Sequence, residues 1–245
     1  MASIEVSEEQ GVRYLHFGSH LVQGAMRIAR PWALELEYTR EMMLPLLLRT
    51  RSGWPKSVLQ VGLGAASFTR FLYRHRPDAR VTVVEIAPEV VAAARQFFKL
   101  PPESAHLRIE IADAHDWLAT ATRKFDLILV DGFDAEGRAG MLETEPFYLN
   151  CRNHLNAGGM LAANLLTRNR SVTRVVNRLR SAFEDRVIVL PACGAGNTVA
   201  LAATDGELQI SFAALHEPAR KWKEESGLDL SATVQRLQRQ EQLRG

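Results

Sequence analysis

Apolar residues fall along this chain in short blocks, and their spacing changes from one region to the next. The first thirty residues alternate: Ile4-Glu5-Val6, then Val12-Arg13-Tyr14-Leu15-His16-Phe17, then His20-Leu21-Val22-Gln23. Alternation sends successive side chains to opposite faces of a strand, and Gly11, Gly18 and Gly24 bound the runs, so this stretch predicts a small β-meander that ends at Pro31. From Leu34 to Leu48 the apolar residues recur at helical spacing, which predicts one long helix before the breaker Arg51-Ser52-Gly53-Trp54-Pro55.

From Ser57 the pattern becomes strand, helix, strand, helix. Strands are expected at 58–62, 81–85, 107–111, 126–130 and 159–164, with helices near 67–76, 88–99, 115–122, 144–154 and 170–183. Leu127-Ile128-Leu129-Val130 and Met160-Leu161-Ala162-Ala163 are apolar without alternation, as strands buried on both faces of a parallel sheet are. Two further runs, Val187–Leu190 and Thr198–Ala202, are joined by a connection too short for a crossover helix, so they form an antiparallel pair. The fold class is therefore α/β: a doubly wound, mostly parallel sheet closed by an antiparallel hairpin, with a small N-terminal meander. This layout resembles the class I S-adenosylmethionine-dependent transferases and not the dehydrogenases, which continue with another crossover. The tail from Leu208 is polar and helical in tendency, and Arg220–Lys223 and Arg236–Arg239 read as solvated faces. The expected units are a meander at 1–33, a transferase domain with its leading helix at 34–206, and the tail at 207–245.

Composition narrows the function classes. At 245 residues with a formal charge of +2, the chain can bury a large core and offers no argument for nucleic acid as a partner. Cys151 and Cys193 lie far apart, without metal-ligand spacing, which suggests free thiols in a reducing compartment and no metal site. The N-terminus shows no apolar leader and no stretch approaches a membrane span, so the expectation is a cytoplasmic protein without a membrane partner.

Candidate chemistry collects at the ends of the predicted strands. Val58–Ser67 ends a strand on Gly62-Leu63-Gly64 and runs into a helix, the arrangement that presents backbone N–H groups to a nucleotide-like ligand. Gly62 permits a sharp turn and Gly64 a close approach. Glu85 ends the second strand, where such folds bind a ribose by its hydroxyls; its alternative is a solvated residue before the helix that Pro88 begins. Asp113 could accept from an adenine amino group with Ala114 leaving room for the ring, or could be a helix N-cap. Asp131 and Asp134 follow a buried strand directly and read as chemistry or as a turn. Four acids at one sheet edge would raise one another's pKa unless something cationic or hydroxyl-bearing compensates.

These residues carry a family resemblance. EYTREMM at 37–43, VGLG at 61–64, VVEIAPEVV at 83–91, ADA at 112–114, LVDGFD at 129–134 and EPFYLNCRNHLNAGGMLAANLL at 145–166 together resemble the polyamine aminopropyltransferases, the spermidine synthase family. The resemblance implies transfer of an aminopropyl group from decarboxylated S-adenosylmethionine, a co-substrate and not a tightly bound cofactor, to a diamine such as putrescine. It implies Asp131 as the base, Tyr38, Asp134 and Gln23 as diamine ligands, Glu85 on the ribose, and Asp113 with Ala114 on the adenine, beside the loop of Gly62 and Gly64. It also implies a homodimer built on the meander. Two positions depart from the family pattern: Ala65 stands where the glycine loop carries an aspartate that holds the donor's amino end, and Ala87 where a second acid follows Glu85. They keep two alternatives open, a methyltransferase using S-adenosylmethionine itself and a non-catalytic relative that binds a nucleoside or polyamine.

Overall fold

A computed structural model describes residues 3–18, 21–166, 172–194, 196–206, 208 and 211–242. Strands β1 (Ile4–Glu9), β2 (Val12–Phe17) and β3 (Gly24–Arg27) form a three-stranded antiparallel sheet in that order. Gln10 and Gly11, both at positive φ, make the two-residue turn between β1 and β2. The third strand differs from the expectation. Of the expected run 20–23, His20 lies outside the described residues, and Leu21–Gln23 precede the strand, which begins at Gly24. Gly24 is there for closeness and not as a breaker: a Cβ on it would stand 2.6 Å from the Ala65 Cβ, so β3 lies directly on the glycine turn. Arg70 secures the same seam. Its buried guanidinium donates to the carbonyls of Ala65, Phe98 and Pro31, and burial lowers its pKa to about 9.

The expected long leading helix is two short ones, α1 (Glu37–Glu41) and α2 (Pro45–Leu48). Pro45 has no N–H to give to the Glu41 carbonyl, so the helical ladder cannot run through it; Leu44 takes that carbonyl instead, at 2.9 Å.

The main sheet comprises β4 (Ser57–Val61), β5 (Arg80–Glu85), β6 (Leu107–Ile111), β7 (Phe125–Val130), β8 (Leu155–Leu166), β9 (Val187–Val189) and β10 (Asn197–Ala203), in the order β6-β5-β4-β7-β8-β10-β9. The first five in that order are parallel, and β10 runs antiparallel between β8 and β9, so the doubly wound sheet and its closing hairpin are both present. Between the strands come α3 (Ser67–His75), α4 (Pro88–Phe97), α5 (Ala114–Thr120), α6 (Glu145–Asn153) and α7 (Val172–Phe183). The first two residues of the expected helix 170–183 lie outside the described residues.

Alternate residues of the strands feed two cores, one on each face. Val58, Val83, Leu127, Leu129 and Met160 pack against α1–α4, whereas Leu59, Val84, Ile128, Val130 and Leu161 pack against α5–α7. Burial on both faces is why these strands read as unbroken apolar runs. After β10 come α8 (Phe212–Ser226) and α9 (Ser231–Gln242), and here the solvated reading of the tail is corrected. Leu215, Trp222, Leu228, Leu230, Val234 and Leu237 are buried in the first core, and Trp222 meets Phe71 at 6.0 Å between ring centres. The charges of Arg220 and Lys223 do face solvent, but they share their helix with that apolar stripe.

Candidate active site

The sheet changes winding direction at β4, whose neighbours β5 and β7 continue to opposite sides, and the crevice at such a point is where doubly wound folds take ligands. Gly62, with φ of +86°, turns the chain out of β4, and a Cβ there would lie 2.1 Å from the Asp131 carbonyl oxygen. The turn and the tip of β7 are thus in direct backbone contact, and only glycine fits. Gly64, at φ of +49°, passes close to the Gln23 carbonyl.

Glu85 ends β5 and clasps this turn. One carboxylate oxygen accepts from the Leu63 N–H at 2.7 Å and the other from the Ala87 N–H at 2.9 Å. Burial raises its pKa, and the amide hydrogen bonds work against that rise. The turn has a second brace. The Gln60 amide donates to the Gly62 carbonyl at 2.8 Å and accepts from the Thr69 hydroxyl at 2.8 Å. Asp113 is the N-cap of α5, accepting from the His115 N–H at 2.8 Å, and Ala114 is the first residue of that helix. Beside them Ile86 and Ile111, at the tips of β5 and β6, are 66% and 56% exposed. Branched apolar side chains left open at neighbouring strand tips offer a surface to a flat ring.

Asp131, at the tip of β7, is the most elaborately held side chain of the crevice. Its Oδ2 accepts from the Tyr38 hydroxyl at 3.1 Å and its Oδ1 from the Asn164 amide at 2.8 Å; Asn164 in turn accepts from the Asn197 amide at 2.9 Å. Three elements converge here: α1 brings Tyr38, β8 brings Asn164 and the start of β10 brings Asn197. Burial pushes the Asp131 pKa up to about 6, although the Asn164 and Tyr38 hydrogen bonds pull the other way. Burial, and not the crowding of acids expected from their position in the chain, is the cause of the shift. Tyr38 is itself buried and held well above its ordinary pKa, by burial first and then by the neighbouring Asp131, so it stays a neutral donor.

Asp134 lies on the exposed loop beyond. Its carboxylate accepts from the backbone N–H groups of Glu136 and Arg138 and from the Arg138 guanidinium at 2.7 Å. It is therefore a turn-forming residue and an ion-paired one, and despite some burial these bonds hold its pKa below the usual range. Gln23 reaches the same loop, its amide donating to the Asp134 carbonyl at 3.4 Å. The structure thus brings Tyr38 to Asp131, Gln23 to Asp134, and both pairs to the glycine turn; Glu85 supports that turn from the β5 side. Ala65 does not face the crevice. It is 2% exposed and packs with Leu15, Met26 and Phe98 under the meander.

Two residues escaped the reading of the chain, Asn164 and Asn197. Gln60, which there weighed only against a methyltransferase as an amide two residues before the first glycine, was not foreseen as a brace of the turn. Asn164 carried a signal, a lone amide inside Met160–Leu166, where every other residue is apolar. Gln60 stood likewise between Leu59 and Val61. Asn197 sits in a glycine-bearing connection, where an asparagine is ordinary, and nothing local marked it. Among the described residues no group of three His, Cys, Asp or Glu side chains could hold a metal ion, and no helix is long and apolar enough to cross a membrane.

Comparison with known proteins shows the family and the fold. Residues 36–193 match the family model of the spermine/spermidine synthase domain. The chain is 38% identical over 226 residues to a polyamine aminopropyltransferase of Neisseria meningitidis, covering 92% of this chain and 85% of that protein. It is 37% identical over 242 residues to one of Chromobacterium violaceum, covering 99% and 92%. Among solved structures, a probable spermidine synthase of Corynebacterium glutamicum superposes with a TM-score of 0.73 at 20% identity, over 88% of this chain and 83% of that one, a likeness of fold.

Proposed function

This chain belongs to the spermine/spermidine synthase family, and from that premise we propose that it transfers an aminopropyl group from decarboxylated S-adenosylmethionine to a diamine of the putrescine class, with Asp131 as the base. Aminopropyl transfer of the spermidine synthase kind is the family's reaction, and the chain is an enzyme of that class. The observation that carries the reading is the Asp131 carboxylate, held by Tyr38 and Asn164 at the strand tip that touches the Gly62 turn.

The donor's sulfonium already activates its substituent carbons, so the acceptor nitrogen has only to lose a proton and attack. The ammonium gives that proton to Asp131, the freed lone pair forms the new C–N bond, and the C–S electron pair leaves on sulfur as neutral methylthioadenosine. With its pKa near 6, Asp131 is ionised at neutral pH and is a better proton acceptor than a free carboxylate. The Tyr38 hydroxyl and Asn164 amide fix its two oxygens, which orients the lone pairs left over. The Leu63–Glu85–Ala87 clasp sets the turn under the nucleoside, and exposed Ile86 and Ile111 would flank the adenine. Asp113 would serve the adenine from the same carboxylate that caps α5, and Asp134 with Gln23 would meet the far end of the diamine.

The position that carries a carboxylate for the donor's amino end in the family is here Ala65, packed under the meander and away from the crevice, so that contact is missing. A charge-assisted hydrogen bond is commonly worth about 1.5–3 kcal/mol, or one to two decades of affinity. Donor binding is accordingly expected to be weak but still selective. Calorimetric titration with decarboxylated S-adenosylmethionine, S-adenosylmethionine and methylthioadenosine, each with and without putrescine, tests this. Tighter binding of the decarboxylated donor, improved by the amine, is the expected result; a preference for S-adenosylmethionine would point to methyl transfer.

A further inference from the structure

The last helix of the chain reaches the site through a charged clamp. Arg236 of α9 donates to Glu37 and to Glu41, the two carboxylates that flank Tyr38 on α1. Glu41 is wholly buried, and Glu37 also accepts from the Gly194 N–H at 3.4 Å, in the connection that leads into Asn197. Both side-chain partners of Asp131, Tyr38 directly and Asn164 through Asn197, are thus tied to elements that this clamp touches. We propose that Arg236 is a positioning residue for Asp131: it pins α1 through Glu37 and Glu41 and so keeps the Tyr38 hydroxyl on the carboxylate.

Helix α1 has only five residues, bounded by the Leu44–Pro45 break, and a helix of one turn cannot hold its own orientation. Leu34 and Met42 anchor it apolarly, but such packing is non-directional, whereas a hydroxyl must be aimed to keep a hydrogen bond. A guanidinium bound to two carboxyl groups one helical turn apart supplies direction, because its planar fork fixes both at once whether or not Glu41 is ionised. The charged and titratable groups around the clamp are few. Glu41 faces Glu37 and Arg236, with Thr233 of α9 beside it; Glu37 faces Arg236 and Arg40; Cys193 lies near both Tyr38 and Arg236. Asp131 itself faces Tyr38 and Asn164.

This inference rests on the reading of Asp131 as the base, but its test does not need turnover. The Asp131 carboxyl is titrated by carbon NMR in the wild type, Tyr38→Phe, Arg236→Gln and the double variant. Losing the Tyr38 hydrogen bond removes a contact that favours the ionised form, so Tyr38→Phe should raise the midpoint by about half to one pH unit. Arg236→Gln should raise it in the same direction, and the double variant should go no further than Tyr38→Phe alone. A midpoint in Arg236→Gln equal to the wild type's, or a double variant showing the sum of the two shifts, would overturn the proposal. Should Arg236→Gln fail to fold, Glu37→Gln keeps the Arg236–Glu41 pair and loosens half the clamp. A smaller rise supports the proposal, and an unmoved midpoint overturns it. Full activity in Asp131→Asn would instead refute the base while leaving the titration result standing.

Discussion

Gly62 shows how much of the site rests on one missing side chain. Its φ of +86° and the 2.1 Å that would separate a Cβ from the Asp131 carbonyl oxygen are two independent reasons for glycine. Gly62→Ala is expected to lose on the order of 1–3 kcal/mol from backbone strain, more from the clash, and to lower kcat by displacing the Asp131 backbone. A urea midpoint equal to the wild type's would contradict this. At this scale the chain was legible where a residue type had one use. A glycine after a buried strand and an acid at a strand tip marked Gly62 and Asp131, which meet in the crevice, and Tyr38 reaches the same acid. It was less legible where one residue serves twice. Asp113 caps α5 and Asp134 builds a turn bound to Arg138, so the structural alternatives were sound without deciding the question of ligand contact. Asn197 was silent because its importance comes from Asn164, which is 33 residues away.

Among the elements, the departures from expectation share a cause. A helical period in residues 34–48 says which faces are apolar but not whether the axis is continuous, and Pro45 breaks it. The tail looked solvated because charged and amide side chains are frequent in it, yet a stripe of Leu215, Trp222, Val234 and Leu237 is enough to bind α8 and α9 to the first core. Burial of that seam also buries Glu41, whose pKa rises to about 7, mainly by desolvation, with Glu37 adding to the rise and Arg236 opposing it. The sign of the consequence follows. The folded state keeps this proton up to about pH 7 while the unfolded chain releases it near its ordinary value of 4.5, so the fold binds more protons between those limits and loses stability as pH rises through them. Glu41→Gln, which cannot ionise, should flatten the fall in Tm between about pH 5 and pH 8, by up to about 3 kcal/mol of stability. An unchanged pH dependence in that variant would show that Glu41 ionises normally in the fold.

The described residues form a doubly wound sheet with a meander pressed on its glycine turn and α9 clamped to the short helix whose Tyr38 donates to the candidate base. The mostly parallel sheet and its closing hairpin were readable because parallel strands buried on both faces leave unbroken apolar runs, and because a short link forbids a crossover. The long-range pairings were not readable: Tyr38 to Asp131 spans 93 residues and Arg236 to Glu37 spans 199, and neither leaves a local pattern. The central claim, that Asp131 accepts the proton of an attacking amine, meets its most direct test in the rate of spermidine formation from decarboxylated S-adenosylmethionine and putrescine, followed against pH in the wild type and in Asp131→Asn. A base with a pKa near 6 must be ionised to act, so wild-type kcat should fall as pH drops through about 6. Asp131→Asn should lose about two to four decades of kcat with donor affinity nearly unchanged. Transfer at the wild-type rate in Asp131→Asn, with the acidic limb still in place, would contradict the account.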